Sequence, residues 1–422
     1  MHARLVESGA RRVRIRRLGG DRAGEIRLTR LLRNAAVTPE AMVTEAASRT
    51  GPRCAGLHVL AIQDTTVVRS AGGGGLYLHP TLAMDAASGA ILGLTHATFL
   101  SRTQGQKADR RKKPIAEKQS QRWLDAADRS AEVCAAAARL TMIGDRENDI
   151  FQAFALRPAQ TDLLVRAAHD RALEDGGKLF AHIDTLSVAG RAELDLPAKP
   201  GRKARQAQVA VRFATVAIAR PRNGLRESLP ESLTVTVVDV REEDPPPGEA
   251  AVHWRLLTTH TVANAAEAFA VADLYRRRWA IEQLFRTLKT RGFDIEGLLV
   301  EDEAPLKNLV MATLIAAVTI QQLVHARDGA AGPGPLRPIT DTFEPEDQPL
   351  LEAFCGKLEG KTQRQKNPHP KGSLAYGAWV CARLGGWTGY YGKPGPIVML
   401  EGWLHFQAAK QGAALSATYR DV

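Results

Sequence analysis

LYRRRWAIEQLFRTLK, residues 274–289, carries Tyr275, Arg278, Glu282 and Lys289 at offsets of 0, 3, 7 and 14. An α-helix turns about 100° per residue, so these positions fall at roughly 0°, 300°, 340° and 320°, on one narrow face. A phenol, a guanidinium, a carboxylate and an ammonium in a row can hold a metal ion at the carboxylate and a string of phosphates beside it. That is equipment for cutting or joining DNA. Arg278 and Glu282 are also an i,i+4 pair, an ordinary decoration of solvated helices, and the stretch alone does not choose between the two readings.

The pattern around this stretch supplies a frame. The helix is expected to run from Asn264 to Arg291, after an apolar strand at 252–259 (VHWRLLTT) and before helices at 304–326 and 348–358. Between residues 57 and 99, the segments HVLAIQDTTVV, GLYLHPTLAMD and AILGLTHATFL read as adjacent strands separated by Gly-rich or polar turns. A helix over 120–140 leads into the strand LTMIG and the turn DREND; a helix over 149–156 and a strand over 161–168 follow. From 170 to 250 this rhythm stops, and RQAQVAVRFATVAIAR and ESLTVTVVDVRE alternate like antiparallel strands. Asp64 and Asp145 each stand at the end of a strand, where open α/β sheets build their sites.

Composition narrows the partners. The formal charge of +11 and a pI near 9.7 point to a polyanion, either nucleic acid or an acidic membrane surface, and 44% hydrophobic content suits a folded globular chain. The longest apolar run, 309–320, is too short for a bilayer span of about 20 residues and reads as a core helix. The Arg-rich start has no apolar export segment, so the chain is expected in the cytoplasm. Cys54, Cys134, Cys355 and Cys381 lie far apart with no CxxC, which argues for free thiols rather than zinc or disulfides. The histidines form no metal-like cluster. Glu147 and Asp149 lie near Asp145, but acids at helix starts are common for dipole reasons alone.

Asp64, Asp145 and Glu282 can converge at the top of a mixed sheet, as a two-metal phosphodiester site requires, and oxygen-only ligands suit Mg²⁺ or Mn²⁺. The Y-x2-R-x3-E-x6-K spacing of Tyr275, Arg278, Glu282 and Lys289 stands beside QDTT at Asp64 and GDREND at Asp145. With RWLDAA from Arg122, LLVR ending at Arg166 and GSLAYGAWVCARLGG from Gly372, the chain resembles the bacterial DDE transposases of the insertion-sequence-four family, the transposon-five type. The likeness covers residues 18–411.

The resemblance implies an α/β fold: a ribonuclease H-like catalytic core, a mixed sheet flanked by helices, with an inserted antiparallel β module and a helical C-terminal region. The expected division is a shortened basic DNA-binding region (1–50), the first part of the core (51–169), the inserted β subdomain (170–250), the second part of the core with the catalytic helix (251–330) and a helical, dimerising C-terminal region (331–422). It also implies cut-and-paste transposition through a DNA hairpin, with Asp64, Asp145 and Glu282 as ligands of two Mg²⁺ or Mn²⁺ ions. Tyr275, Arg278 and Lys289 would then grip phosphates near a flipped nucleotide. The implied partners are the terminal inverted repeats, target DNA and a second copy of the chain in the synaptic complex, with no membrane.

Trp254 lies 28 residues before Glu282, a separation similar to that of the family's stacking tryptophan, and Trp279 directly follows Arg278. Either ring can be a platform for an extruded base or a core side chain. Arg166 and Arg286 are candidate contacts to the DNA backbone or plain surface charges. The basic stretches QKADRRKK and GKTQRQKNPHPKG are solvated loops or phosphate contacts. Only about 45–50 residues precede the first core strand, fewer than the family's end-reading domain has. The alternative function is therefore an N-terminally shortened, non-transposing DNA-binding or inhibitor form.

Overall fold

The computed structural model describes residues 13–71, 74–102, 114–196, 203–222, 228–289, 292–329 and 335–420. The loop QKADRRKK lies outside them. Among the described residues the chain begins with α1 (Ile15–Gly19), α2 (Arg22–Leu32) and α3 (Pro39–Arg53), followed by β1 (His58–Gln63), β2 (Thr66–Ala71), β3 (Gly74–Asp85) and β4 (Ile91–Arg102). Next come α4 (Gln121–Val133), β5 (Arg139–Gly144), α5 (Phe151–Ala155), β6 (Thr161–Arg166) and α6 (Leu179–Thr185). Then β7 (Gly190–Leu196), β8 (Arg205–Ala219), β9 (Ser232–Glu242) and β10 (His253–Thr258) precede α7 (Ala265–Arg276) and α8 (Trp279–Leu288). The helices α9 (Glu303–Ala326), α10 (Gln348–Leu358), α11 (Leu374–Leu384) and α12 (Pro396–Arg420) complete the chain.

Among the described residues all ten strands join one mixed sheet, ordered β2-β3-β1-β5-β6-β10-β9-β8-β7, with β4 paired to β3. At its centre β1, β5 and β6 run parallel. Parallel strands covered on both faces read as continuous apolar runs. HVLAIQ and RLTMIG are such runs, buried after their first residue. Their side chains divide with period two: Leu60 and Ile62 enter the core on one face, Val59, Ala61 and Met142 the core on the other. The core on the first face includes residues of α1 to α3 and α7 to α12, that on the second residues of α4, α5 and α6.

Three expectations change here. HVLAIQDTTVV is two strands: β1 and β2 pair with successive halves of one edge of β3, and the chain breaks at Asp64–Thr65. The strands between residues 170 and 250 continue the central sheet, because β9 pairs with β10 and β10 with β6. The helix expected over 264–291 is two helices. Arg277, Arg278, Ala280 and Ile281 each donate their N–H three residues back, at 3.0–3.2 Å, which tightens the turn between α7 and α8.

Local rules set the helix ends. Asn264 caps α7 by accepting the Glu267 N–H at 3.0 Å, and Glu267 reaches back to the Ala263 N–H at 2.7 Å. On α8, Ile281, Leu284 and Leu288 are buried while Trp279 is 45% exposed, so one face enters the core and the opposite face stays open. The helix α9 is the one described helix long and apolar enough to cross a membrane; 83% of that window is buried, as in a core helix. Cys54 and Cys134, distant in sequence, are buried with their Sγ atoms 3.6 Å apart as free thiols.

Candidate active site

Asp64 follows β1 and Asp145 follows β5, and the parallel register pairs Ile62 with Ile143, so both aspartates leave the same edge of the sheet on neighbouring strands. Each carboxylate is steadied by the backbone just ahead of it. Thr65 N–H donates to Asp64 Oδ1 at 2.7 Å, and Glu147 N–H donates to Asp145 Oδ1 at 2.8 Å. The turn after β5 leaves no room at Gly144, where a Cβ would stand 2.7 Å from Asn148 Cβ. Glu282 comes from the first turn of α8.

Arg278, at the start of α8, brings the helix to the sheet. Its Nη1 donates to Asp64 Oδ2 at 2.8 Å and its Nη2 to Glu282 Oε1. The i,i+4 salt bridge is therefore real, and it also reaches a carboxylate more than two hundred residues away. The three carboxylates do not close around one point: among the described residues no three His, Cys, Asp or Glu side chains form a group able to share an ion. The physical reason is the guanidinium, which lies between Asp64 and Glu282 and supplies the positive charge they need.

Burial, and then the negative charge of Asp145, raise the Asp64 carboxyl to a pKa of about 6, against the Thr65 N–H and Arg278; Glu282 adds to the rise. Burial also raises Asp145, with Glu147 adding to it while the Glu147 N–H, Arg278 and Arg122 oppose it. Burial would lower Arg278, but Tyr275, Asp64 and Glu282 outweigh it and the net shift is upward. For a carboxyl raised in the fold, the folded state holds the proton more tightly than the unfolded state, so stability falls as pH rises from about 4 to about 6. Asp64→Asn is accordingly expected to raise the melting temperature of the metal-free protein at pH 7.5 by about 1 °C, for a gain on the order of 1 kcal/mol. Calorimetric scans at pH 4.5 and 7.5 check this: the gain should shrink at pH 4.5, and a lower melt at pH 7.5 would refute the crowding of charge.

The other named residues separate into two groups. Tyr275 is buried, with the Arg278 guanidinium 5.9 Å from its ring centre and the Trp254 ring centre 6.4 Å away. Trp254 is partly buried against the main core. Arg166 donates Nη2 to the His253 carbonyl at 2.8 Å and feels the charges of Arg146, Tyr275 and Arg278. Tyr275, Arg278, Trp254 and Arg166 thus border the carboxylates. Trp279 and Arg286 form a separate exposed pair on α8, the guanidinium 4.9 Å from the indole centre. Lys289 corrects the single-face expectation: it leaves helical geometry at φ −95°, ψ −138° and its Nζ pairs with Glu296 at 2.8 Å.

Three residues beside the carboxylates were given no role there by the motif reading. His79, on β3 opposite the break at Asp64, contacts Thr65 Oγ1 through Nδ1 at 2.8 Å and Gln63 Oε1 through Nε2 at 3.2 Å. Arg122, on α4, donates Nε to Thr65 Oγ1 at 3.2 Å and Nη2 to Glu147 Oε2 at 2.6 Å. The signal for Arg122 was a charge on the apolar face of an amphipathic helix, beside Trp123. Glu147 was legible only as a helix-start acid.

This arrangement, two strand-end aspartates on one sheet edge and a helical glutamate tied to the first of them by an arginine, agrees with an independent comparison of the sequence. The family model for the transposase DDE domain matches residues 77–319, more than half of the chain, with Asp145 and Glu282 inside the matched span and Asp64 just ahead of it. The chain belongs to the DDE-domain transposase family.

Proposed function

We propose that this chain is a cut-and-paste DNA transposase of the insertion-sequence-four, transposon-five type, which nicks transposon ends, releases them through a hairpin and joins them to target DNA. The observation that carries this reading is the Asp64–Arg278–Glu282 bridge beside Asp145. The charges of Asp145 and Glu282 both oppose ionisation of the buried Asp64, and a site that keeps such a cost is built for cations and for the phosphates that accompany them.

The donor chemistry of these residues fits a divalent cation. All the donors are oxygens, as Mg²⁺ or Mn²⁺ requires, and Arg278 already stands as a positive charge between two of the carboxylates. Asp64, Asp145 and Glu282 would hold the ions, which when bound activate the attacking oxygen and stabilise the leaving oxygen of an in-line displacement. Arg278 then has a planar fork suited to two phosphate oxygens, and Arg166 lies next to it. The partly exposed Trp254 ring, beside the buried Tyr275, is where a base leaving the stack can rest. Trp279 with Arg286, and Lys289 on exchanging Glu296, extend the contact along the backbone. We assign the reaction to cytoplasmic DNA, with two copies of the chain synapsing the two ends.

Incubating the protein with labelled duplexes bearing the inverted repeats that flank its gene, with Mg²⁺, tests this. Nicked DNA followed by a hairpin of twice the strand length on denaturing gels is expected. Nicks that never become hairpins would overturn the hairpin route, and intact DNA would overturn the proposal. Because ten arginines lie in the first 36 residues, binding should fall steeply with salt.

A further inference from the structure

The guanidinium of Arg122 is buried, its side chain 5% exposed, and the carboxylate it pairs with is not: Glu147 is 57% exposed. A buried charge is costly unless it is paired and hydrogen-bonded, so its other partners matter. Nε donates to Thr65 Oγ1 at 3.2 Å, Nη1 to the Gln119 carbonyl at 2.8 Å and Nη2 to Glu147 Oε2 at 2.6 Å. Thr65 and Glu147 are the residues whose backbone N–H groups hold Asp64 and Asp145. One planar fork therefore grips both turns that carry the strand-end aspartates.

His79 completes the bracing on the Asp64 side. With Nε2–H donating to Gln63 Oε1, Nδ1 is left to accept the Thr65 hydroxyl, which frees the Thr65 oxygen to accept from Arg122. The residues on either side of Asp64 are thus tied to one ring, and through Thr65 and Arg122 to the Asp145 turn. All these partners are donor–acceptor matched in one direction, which fixes orientation as well as distance.

We propose that Arg122 is a positioning residue, touching neither DNA nor the reacting atoms, whose fork sets the separation and orientation of Asp64 and Asp145 for binding divalent cations. This inference rests on the proposal that those aspartates are metal ligands. Partners that orient metal ligands from behind typically change affinity by about ten- to a hundredfold when removed.

The test is a titration of the full chain with Mn²⁺ alone, without DNA, following loss of the free-ion paramagnetic resonance signal, with a melting curve for every variant. Asp64→Asn comes first. If it binds Mn²⁺ like the wild type, the carboxylate proposal fails and this inference falls with it. Given weakened binding in Asp64→Asn, Arg122→Met and Glu147→Ala should each raise the dissociation constant about ten- to a hundredfold. Glu147 is exposed, so its variant should fold even where Arg122→Met does not. Arg122→Lys should recover part of the affinity, because an ammonium keeps the charge but cannot span both turns. Arg53→Met, which cuts a pair with Asp341 at 3.3 Å on a different part of the chain, should lower the melt and leave Mn²⁺ binding unchanged. Wild-type affinity in Glu147→Ala, or an equal loss in Arg53→Met, would overturn the inference.

Discussion

Alanine at Asp64, Asp145 or Glu282 is expected to abolish DNA cleavage while leaving DNA binding largely intact. The loss should be the largest of any substitution in this chain, since stabilising the charge of a phosphoryl transition state with a metal contributes several kcal/mol, roughly a thousandfold or more in rate. Binding survives because the chain carries a net +11 charge, and each variant removes a negative charge rather than a positive one. Cleavage gels run with a mobility-shift series on each variant decide the matter. Wild-type cleavage by any one of the three would remove that residue from the catalytic set. Asp64→Asn makes the contrast sharper, because the substitution expected to stabilise the metal-free fold is also expected to stop the reaction, a trade-off common at strained functional sites.

Trp254→Ala carries the second large effect. If the ring holds an extruded base, the first nick, which needs no flipped nucleotide, should proceed normally, while hairpin formation slows by an amount equivalent to about 1–3 kcal/mol of stacking. Trp254 is only partly buried, so the fold should lose less than the roughly 3–5 kcal/mol that a buried tryptophan contributes. Nick and hairpin rates measured beside the melting temperature separate the roles: nicked DNA accumulating at a near-normal melt supports the platform. A strongly lowered melt with every step slowed alike would make Trp254 a core residue.

Much of the fold was readable from local pattern. The apolar runs HVLAIQ and LTMIG became the buried parallel strands because only covered strands tolerate such continuity. The helix at Gln348–Leu358 was readable to the residue. What pattern could not show was an interruption of strand pairing within an unbroken apolar stretch. QDTTVV is as strand-like as what precedes it: β1 and β2 pair with successive halves of one edge of β3 in a common direction and register, and the ladder is interrupted only at Asp64–Thr65. The tight turn after Arg276 was hidden for the converse reason, since RRRW has no Gly or Pro to mark an interruption.

The candidate site divides in the same way. Periodicity put Arg278 next to Glu282, and strand-end logic put Asp64 and Asp145 at one edge, because both rest on short-range geometry that any helix or strand obeys. The tie from Arg278 to Asp64, the His79 and Arg122 bracing, and the meeting of Cys54 with Cys134 join residues far apart in the chain. Lys289 lost its place on the shared face once the helix ended at Leu288, just before it, and Glu296 came within reach. Sequence by itself determined which groups were available and on which element each stands; the packing of α4, α7 and α8 against the two faces of the sheet decided which of them meet, because partner choice among charges depends on distances that only the folded chain sets.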